Sequence, residues 1–193
     1  YRYRIENGET VFDKDITPED HIPCGYSGIC SNGKMLLLST VCRKNGGDII
    51  YTSTDSGESW KIIMNRLEYS RFDWNIPYMK PSYNGGGNCV HWISDIKFSP
   101  FDSDTALFNT GTGLFMITGL ASGDVLVKPF CEGIEETVHL NVYTTPHGRN
   151  RIIDIIGDLG GFAFEDYDSE CENSFANENG DRYITCLNAD LTL

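Results

Sequence analysis

Apolar and polar positions along this chain fall into short runs, and no long stretch keeps the 3.6-residue rhythm of an amphipathic helix. Three apolar runs at 34–42, 48–53 and 60–64 are joined by Gly46-Gly47 and by a polar segment ending at Ser59. A second trio occupies 93–99, 106–110 and 114–118, with turns at Pro100 to Asp104 and at Gly111-Thr112-Gly113. A third occupies 137–144, 152–156 and 161–165, and a last run at 182–191 opens what reads as another unit. The pattern predicts an all-β chain of antiparallel strands. Its period of roughly 45 residues falls in the range of propeller blades, so residues 1–193 supply about four of them. Such blades each bury a face against a neighbour. Rings close with roughly four to eight blades, so a complete small ring stays open. The start without methionine and the run cut at Leu193 point instead to a partial β-propeller taken from a larger ring.

The turn between the second and third runs carries Ser53, Asp55, Gly57 and Trp60 at the spacing Ser-x-Asp-x-Gly-x-x-Trp. Each residue type has a job in a tight hairpin. The Asp55 carboxylate accepts backbone N–H bonds inside the turn. Gly57 takes a positive φ without steric cost. Trp60 opens the return strand with a large apolar face. The pattern matches the Asp-box and resembles the repeat of sialidase-type propellers. It speaks to fold and hardly to chemistry. The plainer alternative is an ordinary surface hairpin.

The insertion at 66–91 breaks the rhythm. It holds Tyr69, Phe72, Trp74, Tyr78 and Tyr83 among Pro77, Pro81 and Gly85-Gly86-Gly87. A loop of this length is uncommon unless it serves a function. Its rings suit stacking on the C–H faces of sugars. A loop packed on its own aromatics is the competing reading. The segment at 166–181 reads as an acidic polar loop.

With 40% hydrophobic and 22% charged residues, the 193-residue chain can bury a core and is not a disordered sequence. A net charge of −13 argues against nucleic acid and against anionic membrane as partners. No apolar run approaches the roughly 20 residues that span a bilayer. No leader opens the chain, which reads as cut from something longer. An acidic surface suits a neutral ligand such as a polysaccharide. The seven cysteines (Cys24, Cys30, Cys42, Cys89, Cys131, Cys171 and Cys186) form no C-x-x-C pair, and their number suits a secreted, oxidising setting. Buried free thiols are the alternative. His21, His91, His139 and His147 show no metal-ligand spacing, so no metal or cofactor is expected, and all four read as surface or core residues.

The second and third units share a strand, glycine-rich turn, strand layout. Only the third has a carboxylate at the turn: Asp158, among Gly157, Gly160 and Gly161. Glycines there leave backbone space for a ligand. An acid so placed can be aimed at a bond. Spacing alone favours a turn-capping aspartate.

Cys131-Glu-Gly-Ile-Glu-Glu-Thr-Val138 followed by Ile156-Gly-Asp-Leu-Gly-Gly-Phe162 resembles the region around the second catalytic carboxylate of glycoside hydrolase family 74. That family holds xyloglucan-cleaving endoglucanases and reducing-end-specific cellobiohydrolases. Trp92-Ile-Ser-Asp-Ile-Lys-Phe-Ser-Pro-Phe-Asp102 and Thr110-Gly-Thr-Gly-Leu114 resemble its segment just upstream. With the Asp-box, the likeness runs over most of 47–168. It implies two seven-bladed propellers facing each other across a cleft, and hydrolysis of a β-1,4-glucan with inversion. Asp158 stands at the position of the general acid. The base belongs to an Arg-Thr-Asp-x-Gly-Gly-type motif that this chain does not contain. An inverting pair stands roughly 6.5–9.5 Å apart.

On this reading Trp92, Trp74, Tyr78, Tyr83 and Glu136 bind the glucan, with Trp92 and at least one of the loop aromatics in the same groove as Asp158. Glu135 and Glu136 match the family's Glu-Glu-Thr, and the bland view has them only positioning a loop. Asp95 reads as a strand anchor. Phe164 departs from the family, which commonly has histidine there. The competing function is a non-catalytic Asp-box propeller that binds glycan or protein. A sialidase is the weaker reading, because Arg149, Arg151 and Arg182 form no convincing triad.

Overall fold

The computed structural model describes residues 1–20, 22–43, 47–65, 71–76, 79, 90, 92–134, 137–170, 174–181 and 183–190. Its strands are β1 (Arg2–Glu6), β2 (Glu9–Lys14), β3 (Gly25–Ser31), β4 (Leu36–Val41), β5 (Ile49–Ser53), β6 (Lys61–Asn65), β7 (Asp95–Phe98), β8 (Ala106–Thr110), β9 (Gly113–Thr118), β10 (Leu126–Pro129), β11 (Val138–Thr144), β12 (Ile152–Gly157) and β13 (Gly160–Phe164). They form a β1-β2 hairpin, the four-stranded sheets β3-β4-β5-β6 and β7-β8-β9-β10, and the three-stranded sheet β11-β12-β13. No α-helix occurs among the described residues. The chain is all-β, as its pattern predicts.

Two compact units result, one from residues 1–73 and 90–128 and one from 74–89 and 129–193. In the first, β4 and β5 are buried on both faces, which explains why their sequences read as continuous apolar runs rather than alternating ones. Leu38, Ile49 and Tyr51 form one cluster, capped by the half-buried Trp60. In the next sheet Phe108 stacks on Phe115, ring centres 5.2 Å apart and planes 8° from parallel. Each sheet is led by its first strand, and the two leading strands, β3 and β7, pack on each other. A Cβ added at Gly28 would lie 2.6 Å from Asp95 Oδ1 and 2.7 Å from the Ile96 backbone nitrogen. Only a glycine permits that approach.

Several strands were not legible in the pattern. β3, Gly-Tyr-Ser-Gly-Ile-Cys-Ser, has one fully buried position and no apolar stripe. β10 is four residues long. The β1-β2 hairpin turns on Asn7 (φ 52°) and Gly8 (φ 84°), an Asn-Gly pair suited to a tight hairpin turn. The opposite miss is the run at 182–191. Its described residues form no strand, only a bridge from Thr185 to Gly160. Most of the 66–91 insertion lies outside the described residues.

The Ser53–Trp60 hairpin clamps the N-terminal segment. Ser53 Oγ donates to Asp55 Oδ1 (2.7 Å) and accepts from the Gly57 amide (2.8 Å). Asp55 also accepts from the Ser59 amide (2.9 Å) and hydroxyl (2.6 Å). Gly57, at φ 86°, lets Ile16 pack on it, and Trp60 Nε1 donates to the Ile16 carbonyl at 2.7 Å. Arg2 and Lys14 each pair with Glu58.

The Ser59 hydroxyl and amide, with Ser53, hold the Asp55 carboxyl down at about 2 from an ordinary 3.8. A depressed folded-state pKa stabilises above the unfolded value, and the benefit is lost as pH falls through the folded one. Thermal melts between about pH 5 and about pH 2 should therefore decline more steeply for the natural chain than for Asp55→Asn. Parallel declines would remove the carboxylate from this role.

Candidate functional site

Asp158 occupies the turn between β12 and β13 in the left-handed region (φ 65°), which aspartate tolerates better than most residues. Its neighbour Leu159 is rooted in a cluster with Ile156 and Phe162, against which Phe164 packs. Phe164, where the family resemblance calls for histidine, packs on that cluster through Phe162 and pairs with Ile152 at the end of β13 away from Asp158. The turn is gripped from one side. The Asp158 amide donates to Thr185 Oγ1 (3.0 Å) and the Gly160 amide to the Ile184 carbonyl (2.9 Å). A Cβ at Gly160 would meet the Tyr183 carbonyl oxygen at 2.5 Å. Backbone bonds therefore hold the turn, while the exposed Asp158 carboxylate accepts no hydrogen bond from the described residues. It is open to a ligand.

One side-chain chain on the same sheet escaped sequence reasoning. His139 on β11 lies 2.8 Å (Nδ1) from Asp154 Oδ2 on β12, and its Nε2 lies 2.7 Å from Thr137 Oγ1. Asp154 is buried, a lone carboxylate inside Ile-Ile-Asp-Ile-Ile. That interruption was the one signal available. His139 is thus a surface residue tethered at both ring nitrogens. The pairing of Val138 with Gly157 brings the Thr137 end of β11 alongside the Asp158 turn. A cleft lined by Arg149, Asn150, Ala163, Glu165, Ser169, Glu170 and Phe175 lies at the other end of these strands, away from Asp158.

Trp92 belongs to the other unit. It is 59% exposed and adopts φ 57°. A bulky residue in that region is a backbone outlier, costing of order 1–3 kcal/mol, and such residues cluster at ligand sites. Its indole lies beside Gly111, where an added Cβ would sit 3.5 Å from Cε3. The next residue, Ile93, is fully buried and donates its amide to Asp48 Oδ2 at 3.2 Å. Asp48 is 1% exposed, and its Oδ1 accepts from Thr40 Oγ1 (3.0 Å) and from the Arg43 amide (3.1 Å). Asp95 is committed elsewhere: Lys97 Nζ at 2.5 Å, with the Ile96 amide, holds its carboxyl below the usual range. That makes it an anchor.

Trp74, half-buried, falls in the same compact unit as Asp158, whereas Trp92 does not. Tyr78, Tyr83, Glu135 and Glu136 lie outside the described residues. Cys24, Cys30 and Cys186 carry half-buried free thiols and Cys42 an exposed one. The described residues contain no cluster of metal-ligating side chains.

No protein-family model matches the chain. It is 25% identical over 193 residues to a xyloglucanase of Acetivibrio thermocellus, covering 86% of this chain and 22% of that protein. It is also 25% identical over 191 residues to an oligoxyloglucan-reducing end-specific xyloglucanase of Emericella nidulans, covering 81% of this chain and 24% of that one. The crystal structure of the xyloglucanase of glycoside hydrolase family 74 from Xanthomonas campestris superposes with a TM-score of 0.64 at 24% identity, over 80% of this chain and 22% of its own. The chain is similar in sequence to xyloglucanases and in fold to a xyloglucanase of family 74. Its four-stranded antiparallel sheets are blades of the fold seen in those family 74 structures. The chain spans about a fifth of the length of the curated xyloglucanases it matches.

Proposed function

We propose that this chain is part of a secreted, xyloglucan-cleaving glycoside hydrolase. Asp158 is its general acid, the general base lies in another part of the protein, and the β-1,4-glucan backbone is cut with inversion. The observation that carries the reading is the Asp158 turn itself. Its backbone is held by Thr185 and Ile184 and its carboxylate is open, within the segment Gly157-Asp158-Leu159-Gly160-Gly161-Phe162. Trp92, Trp74, Tyr78, Tyr83 and Glu136 face the glucan, and the blades join the rest of their own propeller. The similarity to xyloglucanases of two organisms supports the substrate class.

The departure at Phe164, where the family commonly has histidine, favours the second reading, a propeller that binds glycan without cutting it. One experiment separates the two. The protein translated from the full reading frame is incubated with xyloglucan, and the anomeric configuration of the first products is followed by NMR. The expected result is chain cleavage releasing the α-anomer, as single displacement at a β-linkage requires. Initial β-anomer would overturn inversion, and binding without cleavage would favour the non-catalytic propeller.

A further inference from the structure

We propose that Asp48 is a positioning residue for Trp92: its buried carboxylate fixes the peptide that presents the indole to the sugar. The inference rests on the reading of Trp92 as a glucan platform and adds the residue that holds the platform in place. Asp48 lies in the loop between β4 and β5, far from Trp92 in sequence. A buried charge needs several donors to be tolerated, and Asp48 has three. Two of them come from nearby in the chain, Thr40 Oγ1 on β4 and the Arg43 amide in the same loop. The third is the Ile93 amide, the N–H of the peptide that joins Ile93 to Trp92. On the other side of that peptide, Ser94 donates its amide to the Asn109 carbonyl at 3.1 Å. The segment is thus held on both sides just after the residue whose φ is 57°. Ile93 is fully buried, so Trp92 cannot relax into an extended backbone without pulling that side chain or breaking the Asp48 bond. The indole remains exposed beside the Gly111 turn. A strained, exposed aromatic residue held by a buried acceptor is a preorganised contact, because its ordering cost is met during folding rather than on binding.

A double-mutant cycle on the full chain tests this, with binding of a xyloglucan oligosaccharide followed by calorimetry and folding followed by thermal melts. Trp92→Ala should weaken binding by about 2- to 10-fold, the worth of one stacked ring. Asp48→Asn, which keeps shape and a single acceptor oxygen, should fold and weaken binding measurably, and Asp48→Ala should approach the full loss. In the Trp92→Ala background both Asp48 substitutions should leave binding unchanged, a coupling that a purely structural role does not produce. If Asp48→Ala fails to fold, Asp48→Asn carries the cycle. No binding by the natural chain, or no effect of Trp92→Ala, overturns the platform reading. A loss with Trp92→Ala but none with Asp48→Asn, or an Asp48 effect that persists in the Trp92→Ala background, overturns the positioning role alone.

Discussion

Asp158→Asn, made in the intact parent protein, is expected to abolish most xyloglucan hydrolysis while leaving xyloglucan binding nearly unchanged. The amide has the size of the carboxyl group and still hydrogen-bonds, but it has no proton to give to the leaving oxygen. General-acid catalysis contributes typically about 10²–10⁴-fold, and kcat should fall by that much or more, with KM nearly constant. The turn should survive, because its hydrogen bonds to Thr185 and Ile184 come from backbone amides and not from the carboxylate. The isolated 193-residue chain should be inactive, since the proposed base is not among its residues. Full activity in the substituted parent would remove Asp158 as the acid. Suspicion would then pass to Glu136, because Lys97 holds the Asp95 carboxyl below the usual range and so favours its ionised form.

Gly28→Val is the substitution expected to damage the fold most among those considered. Its Cβ would fall 2.7 Å from the backbone nitrogen of Ile96 and 3.1 Å from the Asp95 Cα. Backbone cannot rotate aside as a flexible side chain can. The two leading strands must separate, and Ile96, now fully buried, must follow. Overpacking of this kind costs typically about 1–3 kcal/mol. For a chain of this size that corresponds to a fall in Tm of roughly 2–12 °C. Gly111→Ala is the control, because its added carbon would make an ordinary 3.5 Å contact with Trp92. Equal melting temperatures for Gly28→Val and Gly111→Ala would show that β3 and β7 do not pack as described.

Local pattern revealed most of the architecture. The runs at 34–42, 48–53, 60–64, 93–99 and 106–110 coincide with β4 to β8, and those at 114–118, 137–144, 152–156 and 161–165 with β9 and β11 to β13. The turns at Asp55 and Asp158 were also legible, because glycine and aspartate announce backbone conformations that few other residues adopt. Strands that lie along a neighbour instead of filling a core were not. β3 is polar and glycine-rich because its work is close approach to β7, and nothing within its seven residues says so.

The same division runs through the candidate site. An all-β chain, its turn chemistry and an aspartate set among glycines are readable locally, since these depend on residues a few positions apart. Folding alone brings Asp48 to the Ile93 amide 45 positions away, pairs His139 with Asp154 and holds Trp92 in a left-handed backbone. Those pairings follow from register and from the stacking of one sheet on the next. A one-residue slip would turn every side chain to the other face, so no local pattern encodes them.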